Sequence, residues 1–287
     1  TCALPISVPA VVAAASLAAW FLLPAGYITT RALPKPEPGE RVIDQSEGVN
    51  EIVTVTETSL GRKLMTNGHS MSATYPLSQR YMRALAHVPL LSIDRPEHVL
   101  VIGFGVGNTT AAATLHPSVT RVEVADLSRN VLGHAADFAG SNGNVLKDPR
   151  VSVYVNDGRH HLLMQPPDSY DLIALEPPPI GYAGVASLYS EEFYTLARSR
   201  LKARGFISQW LPSYQVPTAT TLSMIKSFVD VFPQSVLLSG AQADLILIGA
   251  KDTIAIDPNQ LFADRKSTRL NSVTFRNLVC RLLLEKK

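Results

Sequence analysis

The run His98-Val-Leu-Val-Ile102 passes directly into Gly103-Phe-Gly105-Val-Gly107, and a polar, Ala-rich segment follows. Consecutive apolar residues from Val99 to Ile102 read as a strand covered on both faces, the mark of a parallel sheet. Glycines after it let the backbone turn sharply and approach a ligand closely. The N–H groups at the next helix start favour a polar or anionic ligand group. Taken alone, such a loop fits a tight strand–helix turn equally well. Asp126 shifts the balance, because it closes the next strand-like run, Arg121-Val-Glu-Val-Ala-Asp126, about 20 residues on. A carboxylate there can accept both ribose hydroxyls, so the chain is expected to bind a nucleoside-containing cofactor.

The pattern around this unit predicts the architecture. Strands are expected at 97–102, 121–126, 151–155, 170–175 and 205–210, with helices between them, and two late strands at 235–238 and 244–249. Alternation that ends in an antiparallel pair indicates an α/β fold with a doubly wound sheet. Upstream, Glu51–Thr56 and Lys63–Thr66 alternate like a hairpin joined through Ser59-Leu-Gly61, with Asn67-Gly68 as a second turn. Residues 42–75 are therefore read as a small β domain and 76–263 as the Rossmann-like domain, its first helix spanning Ser78 to Leu91.

The ends of the chain read differently. Ala3–Ser7 and Asp264–Ser272 resemble sequencing adapters translated as codons, so 1–7 and 264–287 are set aside as scars. Residues 264–287 carry a net +5, and without them the formal charge falls from +2 to −3. No basic footprint for nucleic acid remains. Cys2 and Cys280 also lie in these ends, which leaves the body without disulfides, Cys-ligated metals or a catalytic thiol. Val8 to Tyr27 is an uncharged run of 20 residues, long enough to cross a bilayer as a helix. Residues 8–30 are thus expected to form a transmembrane helix and 31–41 a Pro-rich linker. Arg31, Lys35 and Arg41 would place the following domain on the cytoplasmic side.

Ligands of such a sheet bind beyond the carboxyl ends of its strands. Four ends converge there: the Gly103–Gly107 loop, Asp126, Asn156-Asp157-Gly158 and Glu176-Pro-Pro-Pro179. Asp157 is placed either to accept from an adenine amine or to cap a helix. Glu176 can act as a general base or can cap the loop that follows it. His160 and His161, being adjacent, cannot share a helix face and are read as surface or cap residues.

From Val49 to about Gly249 the chain resembles the spermidine synthase (polyamine aminopropyltransferase) family, and within it the bacterial membrane-fused branch. The residues that carry the resemblance are Gly61-Arg62 with Asn67-Gly68, His87-Val-Pro89, the Gly103 loop, Asp148-Pro-Arg-Val151, Asp157-Gly158-Arg159 and Leu188-Tyr-Ser-Glu-Glu-Phe-Tyr194. The resemblance implies a class I methyltransferase-like fold and a decarboxylated S-adenosylmethionine co-substrate, or S-adenosylmethionine itself, with no metal. Gly103, Gly105, Gly107, Asp126, Asp157 and Gly158 would hold this cofactor, with Asp126 on the ribose and Asp157 on the adenine. Glu176 would be the catalytic acid acting on the attacking amine. It also implies a small-molecule acceptor and a bacterial inner-membrane location with the C-terminal domain cytoplasmic, and it leaves a homodimer open.

Departures from the family pattern narrow this expectation. Val106 stands where the family places an acid for the aminopropyl ammonium, and only proline follows Glu176 where an acid would hold the diamine. Met71, Leu77 and Ser78 replace other polar or acidic family positions. Burying a diammonium substrate without paired carboxylates costs several kcal/mol per charge. The expectation is therefore a transferase-like domain with an altered or lost polyamine site and weak or absent spermidine formation. Two alternatives stand beside it: a non-catalytic nucleoside sensor regulating a membrane segment, and an S-adenosylmethionine-dependent methyltransferase.

Overall fold

The computed structural model describes residues 7–24, 27, 31, 33–49, 51–178, 180–182, 184–239 and 244–252. The adapter-like segment 264–287 and residues 1–6 lie outside these, as does Pro179.

Two sheets are present. The first is an antiparallel meander of β1 (Arg41–Glu47), β2 (Ile52–Thr58), β3 (Gly61–Thr66) and β4 (His69–Ala73), in that spatial order. The second has seven strands: β5 (His98–Ile102), β6 (Arg121–Asp126), β7 (Val151–Val155), β8 (Tyr170–Leu175), β9 (Leu201–Leu211), β10 (Ser235–Ser239) and β11 (Leu245–Ala250). Their order is β10-β11-β9-β8-β5-β6-β7. Strands β5 to β9 pair in parallel, whereas β11 runs antiparallel to both of its neighbours, β9 and β10. The chain winds from β5 outward through β6 and β7, then returns to β8 on the other side. The gap between β5 and β8 is thus the switch point at which such sheets bind ligands.

The helices are α1 (Ser7–Leu22), α2 (Pro76–Leu90), α3 (Asn108–Thr114), α4 (Arg129–Gly133), α5 (Ala139–Asn142), α6 (Gly158–Leu163), α7 (Glu191–Arg200) and α8 (Thr218–Val231). Helix α2 starts at Pro76, where a missing N–H costs nothing, and buries Tyr81, Met82, Leu85 and Val88. The hydroxyl of Ser208 on β9 donates to the Leu85 carbonyl at 2.6 Å and fixes α2 against the sheet. The small sheet shares this core: Val53, Val55 and Leu64 belong to the same buried cluster as Val99, Val101 and Phe104.

Two sequence expectations are corrected. The 20-residue transmembrane span is a helix of 16 residues, about 24 Å long against a hydrocarbon thickness of about 30 Å. Pro24, which has no N–H and disfavours helical geometry in Leu23, follows its end. Among the described residues no helix is long and apolar enough to cross a membrane. The second correction concerns His161, which is not at the surface. One step along α6 turns it about 100° from the exposed His160, toward the sheet, where its Nε2 lies 2.8 Å from Oε2 of the buried Glu123.

Candidate active site

The loop after β5 is built on positive φ. Gly103, Gly105 and Gly107 lie at +85°, +52° and +82°. A Cβ on Gly103 would approach the Glu176 carbonyl to 3.0 Å, and one on Gly107 would strike the Phe104 ring at 2.6 Å. The loop therefore folds tightly onto itself and onto the segment leaving β8.

Asp126 fastens this loop. Its Oδ2 accepts from the Phe104 N–H at 2.7 Å, and its Oδ1 accepts from the Ser128 N–H at 2.8 Å. Each oxygen keeps a further lone pair for a ligand hydroxyl. Burial raises the carboxyl above its ordinary value against the pull of these two donors, and the charge of Glu51 adds to the rise. Glu51, which leads into β2, also accepts from the Ser128 hydroxyl. The small sheet thus brings an acid to this edge that the sequence did not single out.

Asp157 and Gly158 take structural places at the same edge. Oδ1 of Asp157 accepts from the His160 N–H at 2.8 Å and caps α6, which is the capping alternative of the sequence. Among the described residues Oδ2 has no recorded partner. Gly158 is required by packing: a Cβ there would meet Ile102 Cγ2 at 2.3 Å. It lets α6 start directly against β5.

Glu176 leaves β8 across the switch point from Gly103, and its N–H donates to the Ile102 carbonyl at 3.2 Å. The Tyr81 hydroxyl donates to its Oε1 at 2.7 Å. Burial pushes the Glu176 carboxyl up to about 8; the Tyr81 hydrogen bond opposes this and the charge of Asp244 adds to it. Glu176 is therefore a carboxyl poised to gain or lose a proton near neutral pH, as general acid–base chemistry requires.

Four residues around Glu176, Tyr81 among them, were not anticipated. The Tyr81 ring stacks on Trp210 at 5.9 Å, and the Trp210 indole N–H donates to Oδ1 of Asp244 at 3.0 Å. Tyr214 stands edge-on to Trp210 at 6.4 Å. Trp210 could have been found as the end of a fifth parallel strand. Asp244 precedes the antiparallel β11, so a strand start reaches the edge formed elsewhere by strand ends.

Val106 is fully buried in the core and its carbonyl accepts from Asn142 Nδ2 at 3.0 Å, so it brings apolar surface and no charge. A cleft of about 510 Å³ opens beside the site, lined by Asn67, His69, Ser70, Gly181, Tyr182 and Gln215. It lies between the β3–β4 turn and the segments after β8 and β9.

Comparison with known proteins matches residues 78–239, more than half of the chain, to the spermine/spermidine synthase domain family. The chain is 33% identical to the polyamine aminopropyltransferase of Bacillus subtilis over 155 residues, which cover 53% of this chain and 55% of that protein. It is 28% identical to the polyamine aminopropyltransferase of Leptospira biflexa over 196 residues, 68% of each. The match thus spans little more than half the length of the Bacillus relative. A spermidine synthase solved with the transition-state analogue AdoDATO has a TM-score of 0.69 at 22% identity, covering 80% of each chain. The spermidine synthase of Thermotoga maritima has a TM-score of 0.67 at 24% identity, covering 80% of this chain and 79% of that one. At these identities the likeness is one of fold.

Proposed function

Because this chain belongs to the spermine/spermidine synthase family, we propose that it is a transferase of the aminopropyl type with an altered acceptor site. In this reading the Gly103–Gly107 loop and Asp126 hold the nucleoside of decarboxylated S-adenosylmethionine, and Glu176 serves the attacking amine. The observation that carries it is Glu176 itself. The switch point sets this buried carboxyl beside the glycine loop, and Tyr81 holds it by a 2.7 Å hydrogen bond. A carboxyl with no reaction to serve would be an expensive group to keep there.

The chemistry balances without a metal. Glu176 takes a proton from the acceptor ammonium, freeing its nitrogen lone pair. That nitrogen forms a bond to the carbon next to the sulfonium, the carbon–sulfur bond breaks, and its electron pair stays on sulfur, giving methylthioadenosine. Alignment of the two reactants supplies much of the rate.

The nucleoside half of the donor fits the residues present. The aminopropyl ammonium finds no carboxylate at the buried Val106. That difference is why the acceptor and donor tails are taken as altered relative to the family.

Calorimetric titration with methylthioadenosine, S-adenosylmethionine and its decarboxylated form tests the reading. The wild type is expected to bind, Asp126→Ala to lose binding, and Glu176→Gln to bind normally without turnover. Absence of binding by the wild type, or unchanged binding by Asp126→Ala, overturns it. Turnover retained by Glu176→Gln removes Glu176 from the chemistry.

A further inference from the structure

Away from the switch point, one cluster of ligand-type side chains joins the two sheets. Asp44 lies on β1 of the small sheet, and His134 and Asp137 lie in the 3-10 turn His134–Phe138 that follows α4. One ring nitrogen and one oxygen from each carboxylate lie within 4.8 Å of one another. His134 Nδ1 stands 3.3 Å from Oδ2 of Asp44 and 2.9 Å from Oδ2 of Asp137. Two ligand atoms on a tetrahedral ion with bonds of about 2.0–2.2 Å are about 3.3–3.6 Å apart. Both contacts of Nδ1 are within a few tenths of an ångström of that spacing, and the exposed Asp44 has room to close the third.

The surroundings of the cluster favour a cation. Asp44 and Ser46, two apart on β1, project to the same side of the strand. Ser46 Oγ lies 2.9 Å from His134 Nε2, the nitrogen opposite the carboxylates. With Nε2–H donating to that hydroxyl, the Nδ1 lone pair points at Asp44 and Asp137. A partner on the far nitrogen orients metal-bound histidines in this way. The His134 ring is buried and so held in place. Among the described residues no lysine or arginine pairs with either carboxylate; Arg62 reaches only the backbone carbonyl of Asp137 and turns its Nε to Glu57. The pairing of β1 with β2 skips Ile43 just before Asp44, a bulge of the kind that re-aims a side chain.

We propose that Asp44, His134 and Asp137 bind one divalent transition-metal ion of the zinc class, with water completing its coordination. One imidazole and two carboxylates suit Zn2+ or Co2+, whereas Mg2+ prefers an octahedron of oxygens. The ion takes no part in bond making at Glu176. It clips β1 to the turn that follows Asp126 and Ser128, and so holds the small sheet, with Glu51, against the edge that carries Asp126. The site is independent of the transferase reading, since none of its ligands lies at the switch point.

Calorimetry of the untagged, metal-stripped full chain with Zn2+, and with Mg2+ as the contrasting ion, tests this. The wild type should bind one Zn2+ per chain, and Mg2+ at least about a hundredfold more weakly. Asp44→Ala changes an exposed position and should fold as the wild type does; Asp137→Asn keeps the side-chain volume and repeats the test at a second ligand. Each should weaken Zn2+ by about a hundredfold or more, and Ser46→Ala, outside the ligand set, by about tenfold or more. Zn2+ at about 100 times its Kd should raise the thermal midpoint of the wild type by several degrees and leave that of Asp44→Ala in place. X-ray absorption at the zinc edge should show nitrogen and oxygen neighbours at about 2.0–2.2 Å. No stoichiometric Zn2+ binding by the wild type overturns the proposal. So do equal affinity for Mg2+, unchanged Zn2+ affinity in Asp44→Ala or Asp137→Asn, and sulfur neighbours at about 2.3 Å, which would place the ion on cysteine.

Discussion

The hydroxyl of Tyr81, on helix α2, donates to Oε1 of Glu176, at the end of β8, across 2.7 Å. A residue of one helix thereby sets the protonation behaviour of a residue 95 positions away. The donor favours the charged carboxylate and opposes the burial that raises it to about 8. Removing it leaves burial unopposed. Tyr81→Phe should therefore move the acid limb of the kcat/KM pH profile to higher pH, by about one unit for a charge-assisted hydrogen bond. A profile that stays in place would separate Tyr81 from the titration of Glu176.

Asp126 is expected to act through the loop as well as on the ligand. Asp126→Asn keeps an oxygen for one backbone N–H but sets its amide against the other. We expect methylthioadenosine affinity to fall about tenfold or more, measured by calorimetry. The overall stability should fall by about 1–3 kcal/mol, measured by urea unfolding.

Gly158 is expected to matter for folding more than for binding. The Cβ of Gly158→Ala would lie 2.3 Å from Ile102 Cγ2, so α6 must move off β5. A loss of about 1–3 kcal/mol in urea unfolding is expected from such overpacking. Gly158→Ala combined with Ile102→Ala should cost less than the two single changes added together, because the truncation removes Cγ2, the atom the new methyl would strike.

Toward the amino ends of the central strands, Glu123 on β6 is buried among His161, His98, Tyr170 and Arg121. Burial opposes its ionisation, but hydrogen bonds from His161, His98 and Tyr170 hold the carboxyl far below its ordinary value. Glu123→Leu leaves those donors unpaired and should cost about 3–5 kcal/mol, as broken buried ion pairs do. Equilibrium unfolding reads this directly, with nucleoside affinity as the control.

A buried histidine pair makes the fold sensitive to acid. His87 Nδ1 lies 2.9 Å from His116 Nε2, and burial lowers the His87 pKa to about 3. The folded state thus refuses a proton that the unfolded chain accepts near pH 6.5. Stability from this residue is complete above pH 6.5 and is lost as pH falls toward 3. Between pH 7 and pH 5 the loss is about 2 kcal/mol. His87→Leu should flatten that part of the curve, as urea unfolding at the two pH values would show.

Much of the fold was legible because strands and turns write themselves locally. The five parallel strands announced themselves by apolar runs, and four of them ended in a glycine, acid or asparagine at the carboxyl end, whereas β9 runs into Pro212. Sheet topology alone then brings Gly103, Asp126, Asp157 and Glu176 to one edge. The choice at Asp157 between ligand and cap could not be read, since the same carboxylate suits both. His161 was misread because its partner, Glu123, lies 38 residues away on another strand. The apolar run from Val8 was measured by hydropathy alone, whereas the helix it forms stops before Pro24.

The sequence by itself determined the parallel core, the glycine loop, the carboxylates at the strand ends and the family they belong to, because these depend on residue type and short spacing. Tertiary structure alone decided what surrounds Glu176. Tyr81 reaches it because α2 lies across the sheet, fixed by Ser208. Asp244 reaches it because β11 runs against its neighbours, pairing Leu245 with Leu211 and so setting its first residue beside the last residues of β9. The register that sets Asp244 there is a property of the assembled sheet, and no local pattern of side chains encodes it.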